Sequence, residues 1–121
     1  MIRSLYLVLV LIFATACSSD EKKYNERHYQ TLLCDELGGD MEVVLEDRTR
    51  VDCLTDEYAI EVDFAKKWAE SIGQSLYYAQ MTGKKAAVGL IIHTEKEKRY
   101  LKHLEKVANK HGIKVYLIDK I

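Results

Sequence analysis

The chain has 121 residues, 48% of them hydrophobic, which leaves room for one compact domain and little else. It carries 18 Lys and Arg residues against 19 Asp and Glu residues, so its formal net charge is -1. A general polyanion-binding protein is more basic than this, and the composition therefore argues against that class.

The first sixteen residues have the pattern of a secretory signal. One basic residue, Arg3, precedes twelve uncharged and mostly apolar residues that run from Leu5 to Ala16. This run is shorter than the about 20 residues that a membrane-spanning helix needs. A basic start, a short apolar run and small residues before a cleavage point are typical of a signal peptide.

The end of the apolar run resembles the signal of a bacterial lipoprotein, with "ATA" at 14–16 and Cys17 as the lipidated residue. Residues 17–26 would then form a flexible linker, and the folded domain would cover 27–121. A lipid anchor would tether the domain to the membrane of the bacterial cell envelope. Ser18 favours the outer membrane, facing the periplasm. The alternatives are an ordinary signal peptide with a chance cysteine and an N-terminal anchor helix.

Two thiols, Cys34 and Cys53, remain if Cys17 is lipidated. An oxidising periplasm would allow them to form a disulfide. Two buried free thiols are the alternative. The spacing matches no zinc site, because there is no CxxC motif and the four histidines are scattered.

The rest of the sequence predicts helices and strands in the order α-β-β-β-α-β-α-β. Glycines mark the ends of the helices, and alternating apolar and polar residues mark the strands. This order predicts a mixed α/β fold with a central mixed sheet flanked by helices. The first three strands form an antiparallel meander, followed by a right-handed crossover to a parallel strand. The predicted elements are helix 24–37, strands 41–46, 49–55 and 59–64, helix 65–82, strand 85–93, helix 95–111 and strand 113–119.

The register between the second and third strands places two acids opposite each other. A four-residue loop at 55–58 pairs Leu54 with Ala59, which sets Asp52 opposite Glu61. A three-residue loop would mix the polar and apolar faces of the two strands. We therefore expect the first register.

Opposed carboxylates destabilise a sheet unless something compensates their charge. Mg²⁺ uses one or two carboxylates and takes its other ligands from water and a substrate phosphate. Charge alone thus indicates a magnesium site at Asp52 and Glu61. The alternative is a solvated face on which water and Arg50 absorb the repulsion, with Asp63 in a cross-strand ion pair with Arg50.

The helix that follows the third strand has a polar stripe beside an apolar stripe. We expect the apolar stripe to pack on the sheet and the polar stripe to lie at its edge, where Lys, Gln and Tyr side chains suit phosphate contacts. The polar stripe is Lys67, Ser71, Gln74 and Tyr78, and the apolar stripe is Trp68, Ile72, Leu76 and Ala79.

These residues resemble the restriction-endonuclease-like, or PD-(D/E)xK, nuclease superfamily. The resemblance extends from the helix at Tyr24 to the strand ending near Lys120, and it rests on the element order, "RVDC" and "AIEVDFAKKWAESIGQSLYYA". The second segment is also similar to one shared by a small group of uncharacterised bacterial proteins. In the superfamily, a first-helix Glu, an Asp on the second strand and a Glu two positions before a Lys surround one or two Mg²⁺ ions.

The resemblance implies a role for each matching residue. Asp52 and Glu61 would be the catalytic acids that bind the metal, with the Val62 carbonyl as a further ligand. Glu36 would be the acid of the first helix. Gln74 and Tyr78 are similar to a Gln and a Tyr that follow the active site in exonuclease-like members.

The sequence departs from the superfamily pattern at the lysine of the ExK motif, where it has Asp63. Some members carry that lysine on the following helix. Lys67 is then the natural substitute because it heads the polar stripe, whereas the neighbouring Lys66 is expected to point elsewhere. Asp63 would help to hold a second ion.

The function expected from this resemblance is phosphodiester hydrolysis by a nuclease dependent on Mg²⁺ or Mn²⁺, with DNA favoured over RNA as substrate. The alternative is a catalytically inactive nuclease-fold lipoprotein that acts as a binding or structural module. A thiol redox protein that uses Cys34 and Cys53 is disfavoured because the cysteines lack a reactive local motif.

Overall fold

A computed structural model describes residues 23–121, so the predicted signal peptide and Cys17 lie outside the described residues. Within 23–121, no helix is long and apolar enough to cross a membrane. Short 3₁₀ turns at Ala65–Lys67 and Glu95–Glu97 precede the second and third helices. In chain order the elements are α1 Glu26–Leu37, β1 Asp40–Val44, β2 Arg50–Leu54, β3 Tyr58–Phe64, α2 Trp68–Thr82, β4 Lys85–Ile92, α3 Lys98–His111 and β5 Lys114–Asp119.

The ends of α1 are set by its local sequence. Asn25 caps the start of the helix, where its side chain accepts a hydrogen bond of 2.9 Å from the backbone N–H of His28. Gly38 ends the helix in the left-handed conformation at φ 66°, which glycine adopts without steric cost. The tight connection through Gly38 and Gly39 then sends β1 back along the helix, so the start of α1 lies toward the end of β1.

The five strands form one mixed sheet in the order β1-β2-β3-β4-β5. The first two neighbouring pairs are antiparallel and the last two are parallel. Leu54 pairs with Ala59, which confirms the register predicted from the loop length. The predicted mixed α/β fold and its element order are confirmed as well.

The helices cover both faces of the sheet. On one face, α1 packs against the sheet through a cluster that includes Leu33, Ile60 and Val62. On the other face, the α3 residue Leu104 packs with Val88 and the other inward residues of β4. Alternate residues of β3 therefore face different helices, and Glu61 and Asp63 lie on the face opposite to α1's apolar cluster.

The predicted apolar stripe of α2 packs on the sheet through Trp68, Ile72 and Ala79, which lie against the buried cluster on that face. Ser71 and Ser75 are fully buried, whereas Leu76, assigned to the packed stripe, is 39% exposed. The two hydroxyls donate to the carbonyl oxygens of Trp68 and Ile72 at 2.6 and 3.0 Å. Burial of these small side chains therefore leaves no polar atom unsatisfied, and the helix can approach the strands closely.

A disulfide joins Cys34 of α1 to Cys53 of β2, closing a sequence separation of 19 residues. Gly39 makes room for it, because a Cβ atom at this position would lie 2.6 Å from the Cys53 sulfur and 3.1 Å from the Cys34 sulfur. The disulfide holds the first helix against the strand that carries Asp52.

Candidate functional site

Strands β2 and β3 separate from each other at Asp52. Their pairing ends at Cys53 with Ile60, although each strand keeps its other neighbour beyond that point. The Asp52 Oδ2 atom accepts a hydrogen bond of 2.8 Å from the backbone N–H of Val62, in place of a ladder bond. The N–H and C=O of one strand residue point to the same side, so the Val62 carbonyl faces the opening as well.

Asp52 and Glu61 approach each other across this opening, and each carboxyl group affects the pKa of the other. Two carboxyl groups can hydrogen bond to each other only when one of them is protonated. Burial raises the pKa of both groups, and the negative charge of Asp52 raises that of Glu61 further. In the absence of a cation, the pair therefore shares a proton.

Asp63 is the next buried acid along β3. Glu61 and Asp63 are 6% and 4% exposed, and the Oε2 of the first and the Oδ2 of the second have no hydrogen-bond partner among the described residues. A buried polar atom without a partner costs about 1–3 kcal/mol. Burial, followed by the charges of Glu26 and Asp52, raises the pKa of Asp63 to about 7. A proton or a cation bound at these two oxygens would remove this cost.

The first helix contributes Glu26 to this group of acids. Burial raises the pKa of Glu26, and its charge is felt by Asp63. Glu36, which the resemblance implied as the helix acid, is exposed and lines a separate cavity with Leu117 and Lys120. Ten residues of helix separate the two glutamates by about 15 Å. We call Glu26, Asp52, Glu61 and Asp63 the acidic cleft.

Glu42 lies beside the acidic cleft in a conformation that few glutamates adopt. Its φ is 54°, in the left-handed region, although it lies within β1. Such a conformation costs about 1–3 kcal/mol and persists only where the surroundings hold it. Gln30 holds it here by donating to Glu42 Oε1 at 3.1 Å and to the Asp52 carbonyl oxygen at 2.9 Å. No pattern in the sequence predicted the contact between Gln30 and Glu42.

Arg50 pairs with Glu42 and not with Asp63 as the solvated-face alternative required. The Arg50 Nε atom lies 3.7 Å from Glu42 Oε2, and Asp63 makes no ion pair with any described residue. The separation of β2 from β3 removes Arg50 from the position opposite Asp63. Asp63 therefore has no ion-pair partner among the described residues, and its charge adds to that of the other acids beside it.

The residues predicted on α2 are divided between the acidic cleft and solvent. Tyr78 is 7% exposed, and its pKa is raised by burial and then by the charges of Glu61 and Asp52. Gln74 is exposed.

Lys67 is exposed too, but its positive charge lowers the pKa of both Glu26 and Asp63. It forms no direct ion pair with another described residue.

The donor set of the acidic cleft suits a hard divalent cation such as Mg²⁺ or Mn²⁺, which prefers carboxylate and carbonyl oxygens. Among the described residues, no three His, Cys, Asp or Glu side chains already stand in an arrangement that would hold a metal ion. The buried Glu61 and Asp63 oxygens that have no hydrogen-bond partner are the ones that a cation would satisfy. The residues present therefore fit such an ion if it displaces the bound protons.

Comparison with protein-family models, curated proteins and solved structures finds no match to this chain. Any assignment of function therefore rests on the fold, on the acidic cleft and on the sequence motif that led to it.

Proposed function

We propose that the protein is a nuclease that hydrolyses phosphodiester bonds with the help of Mg²⁺ or Mn²⁺, and that its fold is restriction-endonuclease-like. The observation that carries this proposal is the acidic cleft itself. Four carboxyl groups from α1, β2 and β3 converge where the sheet opens, and two of their oxygens are buried without partners.

The element order supports the same proposal. An initial helix, an antiparallel meander and a helical crossover to a parallel strand are the order that the superfamily resemblance implied, and the chain has it. The motif acids Asp52 and Glu61 lie on the second and third strands, on the two sides of the opening. The superfamily assignment itself remains our proposal.

Asp52 and Glu61 would hold the cation, with the Val62 carbonyl facing the same opening. When bound, the cation supplies charge neutralisation at the phosphate and lowers the pKa of a water molecule. Asp52 is fixed for this role because the Val62 N–H holds its Oδ2 atom at 2.8 Å. Glu26 and Asp63 add negative charge that would favour a second ion.

Lys67 would take the place of the lysine that Asp63 replaces. Its ammonium group acts on the charges of Glu26 and Asp63 while its side chain is exposed, so it can reach a bound phosphate. In the reaction, water adds to phosphorus and one P–O ester bond breaks. The products are a phosphate monoester end and a hydroxyl end, and Lys67 would stabilise the charge that develops on the phosphate.

The predicted lipoprotein signal extends the proposal to a place in the cell. A nuclease anchored through Cys17 would act at the bacterial cell envelope, on nucleic acid outside the cytoplasm, with DNA as the favoured substrate. The disulfide between Cys34 and Cys53 is consistent with an oxidising compartment.

The test is cleavage of single- and double-stranded DNA and RNA by the purified protein with Mg²⁺ or Mn²⁺. We expect cleavage that falls by at least about a thousandfold in the Asp52→Asn and Glu61→Gln variants. Glu36→Gln is the matched control, because Glu36 is an exposed acid of α1 outside the acidic cleft. Its activity should equal that of the unmodified protein.

Intact nucleic acid at every protein concentration would contradict the proposal. Equal activity in the cleft variants and the control would contradict it too, because the cleavage would then come from elsewhere. Either result leaves a nuclease-like fold that serves as a binding or structural module.

A further inference from the structure

A large cavity lies at one end of the sheet, beside the acidic cleft. Its volume is about 1080 Å³, slightly above the range of about 300–1,000 Å³ that is common for ligand pockets. Phe64, His93 and Lys120 line it where the parallel strands β3, β4 and β5 finish. The carboxyl ends of parallel strands are where open α/β sheets bind their ligands.

The charge of the cavity lining is strongly positive, unlike that of the whole chain. Among the described residues, Glu97 is the only acid that lines it, and its Oε1 atom accepts hydrogen bonds from the backbone N–H groups of His93 and Thr94. None of the lining lysines and arginines forms an ion pair within residues 23–121. We call this site the cationic cavity; its Lys and Arg residues are Lys23, Lys66, Lys67, Lys96, Arg99 and Lys120.

Aromatic rings lie between these cations. The rings of Phe64 and His93 are 5.8 Å apart and inclined at 34°, and the Tyr29 hydroxyl is hydrogen bonded to His93 Nε2 at 3.0 Å. The Arg99 guanidinium, also in the lining, lies 4.8 Å from the centre of the Tyr100 ring. The cavity therefore offers flat apolar surfaces and positive charge within the same space.

We propose that the cationic cavity binds an unpaired stretch of nucleic acid, with bases against the aromatic rings and phosphates against the lysines and Arg99. This inference rests on the proposed function, because it takes the acidic cleft as the place where the bound strand is cut. It adds a substrate class: single-stranded nucleic acid or a single-stranded end.

The combination of rings and charge selects unpaired nucleotides. Bases within a duplex are stacked on each other, so their faces cannot reach rings inside a cavity. Bases of a single strand are free to stack on aromatic side chains, and each such contact contributes about 1–3 kcal/mol. A site that recognised only phosphate would need the cations but not the rings.

Lys67 connects the two sites. It lines the cationic cavity, and it ends the short turn Ala65–Lys67 that follows β3, the strand that carries Glu61 and Asp63. A strand held in the cavity would thus lie beside the end of the strand that carries these acids.

The inference is tested by the fluorescence anisotropy of a labelled oligothymidylate of about 12 nucleotides, within the range of single-strand sites of about 4–16 nucleotides. EDTA is present throughout, so binding is measured without cleavage. The competitors are the same backbone without bases, a duplex of equal length and vesicles of phosphatidylglycerol. We expect the single strand to bind at least about tenfold more tightly than the abasic strand or the duplex.

Charge reversal locates the binding on the molecule. Lys96→Glu with Arg99→Glu should weaken binding by at least about tenfold and reduce the dependence on salt, since each lost phosphate contact lowers the slope by about 0.7. Lys106→Glu with Lys110→Glu is the matched control: the same charge change on exposed positions of α3 outside the cavity. The control should change affinity by less than about threefold, the effect of general charge alone.

Three results would overturn the inference: equal binding of the single, abasic and duplex competitors; equal losses in the two charge-reversed proteins; and binding of the vesicles but not of the oligonucleotide. A protein that binds the single strand in the cavity but cuts nothing when Mg²⁺ or Mn²⁺ is added would refute the proposed function and leave this inference standing.

Discussion

The acidic cleft and the cationic cavity lie side by side, but the acids of the cleft are buried and the cations of the cavity are exposed. Glu61 and Asp63 in the cleft are almost fully buried, whereas Lys66, Lys96 and Arg99 around the cavity are exposed. Buried charges are expensive and exposed charges cost little, so the cleft must protonate or bind a cation while the cavity stays charged in water. The net charge of -1 conceals this separation entirely.

This difference predicts that the geometry of the acidic cleft depends more on the helix and strands that carry its acids than the geometry of the cationic cavity does. The disulfide ties α1, which carries Glu26, to β2, which carries Asp52. Replacing Cys34 and Cys53 by serine should lower the free energy of unfolding by about 3 kcal/mol, the value for a loop of this length. Urea unfolding measures it, and a reductant should reproduce the loss in the unmodified protein. An unchanged free energy would show that packing alone holds α1 in place.

Lys67 is the residue that belongs to both regions. Lys67→Ala should reduce turnover by about a hundredfold, because a group that stabilises transition-state charge is lost. Lys66→Ala removes a neighbouring charge that lines only the cavity, and it should weaken substrate binding a few fold with little effect on turnover. Steady-state kinetics of both variants separate the two effects. Equal losses in turnover would show that Lys67 has no special place at the cleft.

Neutralising the cleft should stabilise the protein when no metal is present. Glu61→Gln removes a buried acid from beside Asp52 and should raise the free energy of unfolding by roughly 1–3 kcal/mol at about pH 7. Glu36→Gln, at an exposed position, should change it by less than about 0.5 kcal/mol. Urea unfolding in EDTA checks both. Destabilisation by Glu61→Gln would mean that the acid already has a compensating partner.

Burial of these carboxyl groups also determines whether the stability of the protein rises or falls with pH. The pKa of Asp63 is raised from 3.8 to about 7, and those of Asp52 and Glu61 are raised as well. A carboxyl with a raised pKa binds more protons folded than unfolded, so stability is greatest at low pH and falls as pH rises through this interval. Each group contributes up to about 1.4 kcal/mol per pH unit.

Thermal unfolding in EDTA between about pH 5 and 8 measures this slope, and Mn²⁺ should reduce it because a cation replaces the protons. A rise in stability with pH in the absence of metal would contradict the account. The exposed cavity cations should contribute little to the slope, since exposed charges are already solvated.

The sequence predicted the fold better than it predicted the site. Strand alternation and the loop at 55–58 were sufficient to place Asp52 opposite Glu61, because a one-residue slip would have exposed the apolar face. The choice between Glu26 and Glu36 depended on the direction of α1 relative to the sheet. That direction could have been predicted from the tight turn at Gly38 and Gly39, because this turn makes β1 run back along the helix.

The other structural features that the sequence did not predict depend on tertiary contacts, which local sequence patterns do not encode. Leu76 is 39% exposed although the rest of its predicted stripe packs on the sheet, whereas Ser71 and Ser75 are fully buried. Glu42 gained its left-handed backbone from contacts with Gln30, a residue on another element. The cationic cavity assembles residues from both ends of the chain, which periodicity within one element cannot reveal.

The central claim is that the acidic cleft exchanges protons for a divalent cation. Calorimetric titration of Mn²⁺ or Mg²⁺ in buffers of different ionisation enthalpy measures both the binding and the protons released. We expect release of about one proton or more per ion near pH 7, abolished in the Asp52→Asn, Glu61→Gln double variant and retained in Glu36→Gln. Binding that survives in the double variant, or no binding in the unmodified protein, would contradict it.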